Sequence, residues 1–136
     1  MAVHNTTGRA VPLTWLLLNS QSKVDLISNE KNLVNIRRVR GEDAIRVHCN
    51  SGANIVDRFG DIPGYGTVWC EPTGIANILS MSKATKKIQV VFDSEGGIFF
   101  RMVLPDSEVR FQLSSNSLYY FDAADRDNSA LLFNTV

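Results

Sequence analysis

Apolar and polar residues alternate over short runs along most of this chain, a pattern typical of β-strands. Residues 13–18 are nearly all apolar, which predicts a buried strand. Residues 45–49 alternate apolar and polar side chains, and residues 54–59 can return antiparallel after a polar turn. The sequence therefore predicts a β-hairpin over 44–59.

The rest of the pattern predicts further strands and one short helix. Thr73 can cap a helix that runs to about Lys83, because the apolar residues after it are spaced as on one helical face. The Gly- and Pro-rich segment 60–66 predicts irregular structure. Strands are predicted at 24–27, 67–69, 88–92, 98–104, 109–113 and 118–121, and an edge strand or a helical turn at 33–39. The large aromatic residues Trp15, Trp69 and Phe92 are assigned to the core.

Composition and charge narrow the class of protein. A chain of 136 residues fits one domain with a real core, and 44% hydrophobic with 21% charged residues is ordinary for a globular protein. The 14 basic residues balance the 14 acidic ones, so no net field favours nucleic acid or an anionic membrane. No apolar run approaches the roughly 20 residues of a membrane span, and no signal-peptide pattern is visible. Two cysteines do not make a disulfide framework, so a reducing, cytoplasmic setting is expected.

Small polar residues follow the predicted strand 13–18 directly, beginning with Asn19 and Ser20. A strand that ends in this way delivers a side chain into a loop at a cleft. An ordinary loop asparagine is the alternative interpretation, since Asn favours turns.

Three sequence patches occur in the order found in one protease family. Leu-Leu-Asn-Ser-Gln-Ser at 17–22 aligns with the signature hydrophobic-hydrophobic-Asp-Ser/Thr-Gly. Gly-Tyr-Gly-Thr-Val at 64–68 aligns with the signature G-x-G-x-V. Ala-Asn-Ile-Leu-Ser-Met-Ser at 76–82 stands against N-(L/I)-L-S-(V/M)-S. Asn-Ser-Leu-Tyr-Tyr-Phe-Asp at 116–122 is similar to the G-L-Y-Y-L-D motif that precedes integrase. Over 13–122 the chain resembles the retropepsin-like aspartic protease region of copia-type retrotransposon Pol polyproteins.

The resemblance implies an all-β fold, a closed or partly closed small barrel of the acid-protease type, with the one short helix at about 73–83. It divides the chain into a lead-in at 1–12, a protease core at 13–93, a pre-integrase-like extension at 94–122 and a tail at 123–136. Aspartic proteases need two carboxylates that share a proton over one water. A chain of this length supplies one such loop, so the active site is expected on the axis of a homodimer.

The same resemblance assigns roles to individual residues. Asn19 occupies the position of the catalytic Asp, Ser20 would brace the paired loops, and Gln21 stands where the family pattern has Gly. The hairpin 44–59 would be a flap over an extended peptide. Tyr65 would either line the groove or anchor its loop. The residues predicted to bind substrate in the flap and groove are His48, Asn50, Ser51, Gly52 and Tyr65.

Asn19 is the departure that matters most for activity. An amide cannot ionise and cannot act as a general base, so the chain as given is predicted to have negligible peptidase activity. An engineered Asp→Asn change and a natural one are both open. Asp25 is the next carboxylate along the chain, and a solvated or loop-bracing role is expected for it rather than a catalytic one.

The predicted function by descent is an aspartic endopeptidase that processes its own polyprotein in the cytoplasm or in retrotransposon particles. Its expected partners are a second copy of the chain and an extended polypeptide, with no cofactor, metal, membrane or nucleic acid. The first alternative is a non-catalytic protease-derived domain that binds peptides or partners, or a structural spacer before integrase. A viral or phage β-barrel structural protein without protease descent is a further alternative.

Overall fold

A computed structural model describes residues 11–49, 52–94, 99–105 and 108–123. Within these residues the chain forms twelve strands, one α-helix and two short 3-10 turns. The first six strands are β1 (Trp15–Asn19), β2 (Leu26–Ile27), β3 (Val34–Arg38), β4 (Ile45–Cys49), β5 (Gly52–Val56) and β6 (Arg58–Ile62). The others are β7 (Gly66–Cys70), β8 (Asn77–Ser80), β9 (Gln89–Asp93), β10 (Phe99–Val103), β11 (Glu108–Leu113) and β12 (Tyr119–Asp122). The helix α1 (Met81–Lys87) follows β8 directly.

Ten of the strands form one sheet, in the order β3-β6-β7-β2-β8-β1-β12-β11-β10-β9. Strand β1 lies near its centre, parallel to β8 and antiparallel to β12. The edge strands β3 and β9 do not pair with each other in the described part of the chain, so the sheet is open. The described residues are mostly β-strand with one short helix, which confirms the prediction of an all-β fold.

Strands β4 and β5 form a separate two-stranded sheet. Their register pairs Ile45 with Val56 and Cys49 with Gly52, as in a simple antiparallel hairpin. The hairpin lies within the predicted span 44–59, but its return strand is Gly52–Val56 rather than 54–59, because Arg58 and Phe59 belong to β6 in the large sheet. Val56 is buried at its base, whereas Ile55 is 58% exposed. The hairpin is therefore anchored at one end and projects an apolar side chain into solvent.

The helix does not lie where the sequence pattern placed it. The prediction of a helix capped by Thr73 and ending at about Lys83 is wrong, because residues Asn77–Ser80 are strand β8 and α1 begins at Met81. Ser80 is the actual N-cap, and its hydroxyl accepts a hydrogen bond from the Lys83 amide at 3.3 Å. Strand β8 lies between β1 and β2 with both faces covered, so its apolar residues do not alternate with polar ones.

The Gly- and Pro-rich segment is also more regular than predicted. Strand β6 runs through Gly60 as far as Ile62, and a turn then leads into β7. A Cβ at Gly60 would lie 3.1 Å from Ile36 Cγ1, so the missing side chain lets β3 pack closely on β6. Only the turn keeps the predicted character, since Gly64 and Gly66 have φ angles of 84° and 134°.

Successive side chains of β1 point to opposite faces of the sheet, so the strand contributes to two apolar clusters, one on each face. Leu16 and Leu18 join the main core, together with Leu79, Phe111 and Phe121. Leu17 joins a smaller cluster, where Trp15 stacks on Tyr120 with ring centroids 3.8 Å apart. Burying each such aliphatic or aromatic side chain contributes about 1.5–3 kcal/mol.

Not every large aromatic residue is in the core. Phe92 is 50% exposed on the edge strand β9, so its assignment to the core is wrong. An edge strand has neighbours on one side only, and the outward ring of Phe92 touches mainly Phe100, at 4.9 Å between centroids.

Candidate functional site

Asn19 is the last residue of β1 and pairs with Ser80 at the end of the parallel strand β8. Its side chain is half-buried, and its Oδ1 accepts a hydrogen bond from the Gln21 amide at 2.7 Å. Ser20 and Gln21 are exposed. The side chain of Asn19 thus closes an Asx turn, which we call the Asn19 turn (residues 19–21). The three predicted catalytic positions lie together in this exposed turn.

Ser80 holds the chain that follows the Asn19 turn through two hydrogen bonds. The Ser80 hydroxyl donates a hydrogen bond to the Ser22 carbonyl at 2.7 Å. The Ser80 amide donates to Asp25 Oδ1, also at 2.7 Å. One residue of β8 therefore fixes both the start and the end of the segment that follows the Asn19 turn.

Asp25 is the centre of a buried polar group beneath the turn. Its carboxylate is only 5% exposed, and its Oδ2 accepts a hydrogen bond from the Tyr65 hydroxyl at 2.9 Å. Lys87 Nζ lies 3.5 Å from the same oxygen. A buried carboxylate with this many partners braces the loop, which is one of the two roles expected for it.

Tyr65 lies on the far side of this carboxylate and is 7% exposed. Burial raises the pKa of its hydroxyl, and the charge of Asp25 and the hydrogen bond to it raise the pKa further. The hydroxyl therefore stays protonated and acts as a donor. As placed, Tyr65 anchors the loop to the core, and its alternative role in a substrate groove stays a prediction.

Asn77 is a second buried polar residue, and sequence reasoning treated it only as part of a motif. Its amide nitrogen donates to the Leu13 and Trp15 carbonyls, at 2.7 and 3.0 Å. Its Oδ1 accepts from the Ser28 and Asn29 amides, at 2.9 and 2.7 Å. Asn77 therefore joins the start of β1 to the end of β2, and its side chain is 0% exposed.

The predicted flap residues are only partly described. His48 pairs with Ala53 and Cys49 with Gly52 across the hairpin. Asn50 and Ser51, the predicted tip, lie outside the described residues. The structure brings Asn19, Ser20 and Gln21 together, and it places Tyr65 beneath them on Asp25.

A cavity of about 380 Å³ lies beside α1, and sequence reasoning missed it. Its side chains come from β6, β7, α1 and the segment before β2: Asp25, Phe59, Thr67, Trp69, Lys83 and Lys87. Two signals in the sequence point to it. The Lys83–Lys87 spacing places both side chains on one helical face, and the alternation through β7 places Thr67 and Trp69 on one face of the sheet.

The described part of the chain offers few residues for metal binding or for thiol chemistry. It contains no group of three His, Cys, Asp or Glu side chains that could hold a metal ion. Cys70 is a free, buried thiol, and burial raises its pKa, so it is a poor nucleophile. The described residues form no helix with the length and apolar character needed to cross a membrane.

Comparisons with protein-family models, curated proteins and solved structures find no match to the chain. The assignment of function therefore depends on the residues themselves.

Proposed function

We propose that this chain is a retropepsin-like domain of a copia-type retrotransposon polyprotein, descended from an aspartic endopeptidase that cleaves its own polyprotein. With Asn19 in place of Asp, two copies bind an extended polypeptide across their common axis and do not cleave it. The assignment of the sheet to the acid-protease barrel is part of this proposal.

The observation that carries the proposal is the Asn19 turn. The side chain of Asn19 makes its hydrogen bond within the turn, to the Gln21 amide, and the neighbouring residues are exposed. An aspartate has nearly the same shape, and its carboxylate would accept the same hydrogen bond. The turn can therefore present either group without rearrangement of the fold.

The chemistry follows from bringing two such turns together. In an Asp form, like charges so close cannot both ionise, so one carboxylate takes a proton from water while the other donates one to the substrate. In the Asn form, neither side chain can take the proton, so cleavage stops. Amide groups can still hydrogen-bond a peptide backbone, so binding remains.

The hairpin β4–β5 supports a binding role for this region. It forms its own small sheet and is held at its base by the buried Val56. In the proposal it covers the bound peptide, which lies extended and is held mainly by main-chain hydrogen bonds.

The test is to compare the chain as given with Asn19→Asp, using a cleavage-deficient polyprotein fragment that spans this region as substrate. Only Asn19→Asp should cut it, and a pepstatin-like inhibitor should block the reaction. Asn29→Asp is the matched control, because Asn29 Oδ1 also closes a local turn, by accepting from the Lys31 amide at 3.1 Å. It should leave the protein inactive.

Oligomeric state is measured in parallel by analytical ultracentrifugation. If both forms are folded and dimeric but neither cuts, the assignment of Asn19 to the position of the catalytic acid is overturned, and the chain is a partner-binding or spacer domain that kept only the fold. If both forms stay monomeric at high concentration, the shared-axis site is overturned.

A further inference from the structure

The cavity beside α1 has an aromatic wall. Phe59 and Trp69 are cross-strand neighbours on β6 and β7, with ring centroids 5.8 Å apart in an edge-to-face arrangement. The guanidinium of Arg37 lies 4.3 Å from the centroid of Phe59 and stabilises the position of that ring. A volume of about 380 Å³ is in the range of small-molecule sites, and aromatic walls are typical of them.

The part of the lining that comes from α1 is basic. Lys83 and Lys87 lie four residues apart on α1, so their side chains leave the helix on the same face. Lys87 is held in place by three groups: Nζ lies 3.1 Å from the Thr67 carbonyl, 3.5 Å from Asp25 and 4.4 Å from the Tyr65 ring centroid. Little conformational freedom remains for it to lose when a ligand binds.

The charges of this cavity do not cancel. The carboxylate of Asp25 offsets the charge of Lys87, since they form a salt bridge. Within the described residues no salt bridge involves Lys83. The cavity therefore has one uncompensated positive charge, from the exposed Lys83, among lining residues that include two aromatic rings.

We propose that this cavity binds a small organic anion in which a planar ring carries a carboxylate or a phosphate. The ring packs against Trp69 and Phe59, and the anionic group accepts hydrogen bonds from Lys83 and Lys87. This site goes beyond the proposed peptide-binding function. It lies within one chain and depends neither on Asn19 nor on a second copy.

Trp69 supplies the signal for a direct test. The chain has two tryptophans, so Trp15→Phe leaves Trp69 as the only one, and a phenyl ring can still stack on Tyr120. In this background 4-nitrobenzoate should quench the emission saturably. Neutral 4-nitrobenzamide should bind about tenfold more weakly, because it lacks the charge. A 4-nitrophenyl phosphate titration shows whether the site prefers phosphate to carboxylate.

Two lysine variants separate the cavity from general surface charge. Lys83→Gln should weaken 4-nitrobenzoate binding about three- to tenfold, and added salt should reduce the difference. Lys86→Gln is the matched control, because Lys86 carries the same charge on the same helix but does not line the cavity. It should change the affinity less than twofold. Both substituted residues are exposed, so both variants should fold, which circular dichroism verifies.

Three results would overturn the proposal. The first is quenching by 4-nitrobenzoate that rises linearly without saturation. The second is equal affinity for the anionic and the neutral probe. The third is an equal loss of affinity in Lys83→Gln and Lys86→Gln, which would indicate non-specific attraction to a basic helix.

Discussion

Asn19 and Asn77 are the same residue type on neighbouring parallel strands, and the fold uses them in opposite ways. Asn77 is fully buried, and its side chain makes four hydrogen bonds to backbone groups of two other segments. Asn19 is half-buried, and its side chain accepts one hydrogen bond from two residues away. The amide of Asn77 holds the sheet together, whereas the amide of Asn19 shapes only its own turn.

This difference separates a structural polar residue from one available for chemistry. A side chain that satisfies several buried backbone groups cannot change without leaving those groups unpaired. A side chain that bonds only within an exposed turn can change its charge or its partner. Asn19 can therefore be replaced without leaving buried backbone groups unpaired, and Asn77 cannot.

The largest expected effect is the loss of the Asn77 side chain. Asn77→Ala leaves two backbone amides and two carbonyls, all buried or partly buried, without this partner, and should lower the free energy of unfolding by about 3–5 kcal/mol. Urea unfolding followed by tryptophan fluorescence measures this. A change under about 1 kcal/mol would contradict the structural role, since exposed substitutions commonly have effects of that size.

Asp25 extends the comparison to a buried carboxylate. Asp25→Ala removes the acceptor of the Ser80 amide and the Tyr65 hydroxyl, and should destabilise the protein by about 2–4 kcal/mol. Asp25→Asn is the control of matched shape, because its carbonyl oxygen keeps one of these hydrogen bonds. Thermal unfolding should rank the alanine variant well below the asparagine variant, and the reverse order would show that the carbonyl oxygen kept by asparagine makes no stabilising hydrogen bond here.

Substitution of Asn19 should destabilise the protein much less than substitution of Asn77. Asn19→Ala loses one hydrogen bond in an exposed turn, so the free energy of unfolding should fall by about 0.5–1 kcal/mol. Asn19→Asp keeps the acceptor and should be near neutral at low protein concentration. Urea unfolding under the conditions used for Asn77→Ala gives a direct comparison. A loss as large as that of Asn77→Ala would remove the contrast between the two residues.

The smallest effect concerns a partly exposed carboxylate, Asp61. A hydrogen bond from the Thr67 hydroxyl lowers its pKa below the ordinary value of 3.8, and Arg37 and Asn35 lower it further. A lowered pKa means that the folded state favours the charged form. The stability from Asp61 is therefore complete above pH 3.8 and is lost as the pH falls through the lowered pKa.

The expected outcome is a slightly shallower acid limb of the stability curve in Asp61→Asn. Unfolding midpoints measured at a series of pH values below 3.8 test this against the original chain. Identical slopes for the two proteins would mean that the interactions of the charged Asp61 with Thr67, Arg37 and Asn35 contribute nothing to folding. The partial exposure of Asp61 keeps the expected difference small.

The strands were predictable because their apolar runs are local. The pattern over 45–49 matches β4, and the predicted strand 109–113 differs by one residue from Glu108–Leu113. The return strand of the hairpin was predicted at 54–59, which runs past the end of β5 at Val56 into β6. The helix was misplaced because the spacing of Ile75, Ile78 and Leu79 fits a helical face and a doubly covered strand equally well. Only the pairing of β8 with β1 and β2 decides between the two, and that pairing joins distant parts of the chain.

The candidate site also has one part that could be predicted from the sequence and one part that could not. Asn19, Ser20 and Gln21 are consecutive, so the sequence alone places them in one turn, as the structure does. The buried group beneath it joins Asp25 to Tyr65, Ser80 and Lys87, which come from three other segments. No local pattern predicts that these residues meet, because the contacts depend on the order of strands in the sheet.

The position of β1 in the sheet has a consequence for the time at which the protein can fold during synthesis. Strand β1 precedes both of its neighbours, β8 and β12, in the chain, and β12 is the last strand that the structure describes. A ribosome must therefore translate through Asp122 before the first strand can pair on both sides. Until then one edge of β1 has unpaired backbone groups, and an unpaired strand edge favours aggregation of a nascent chain.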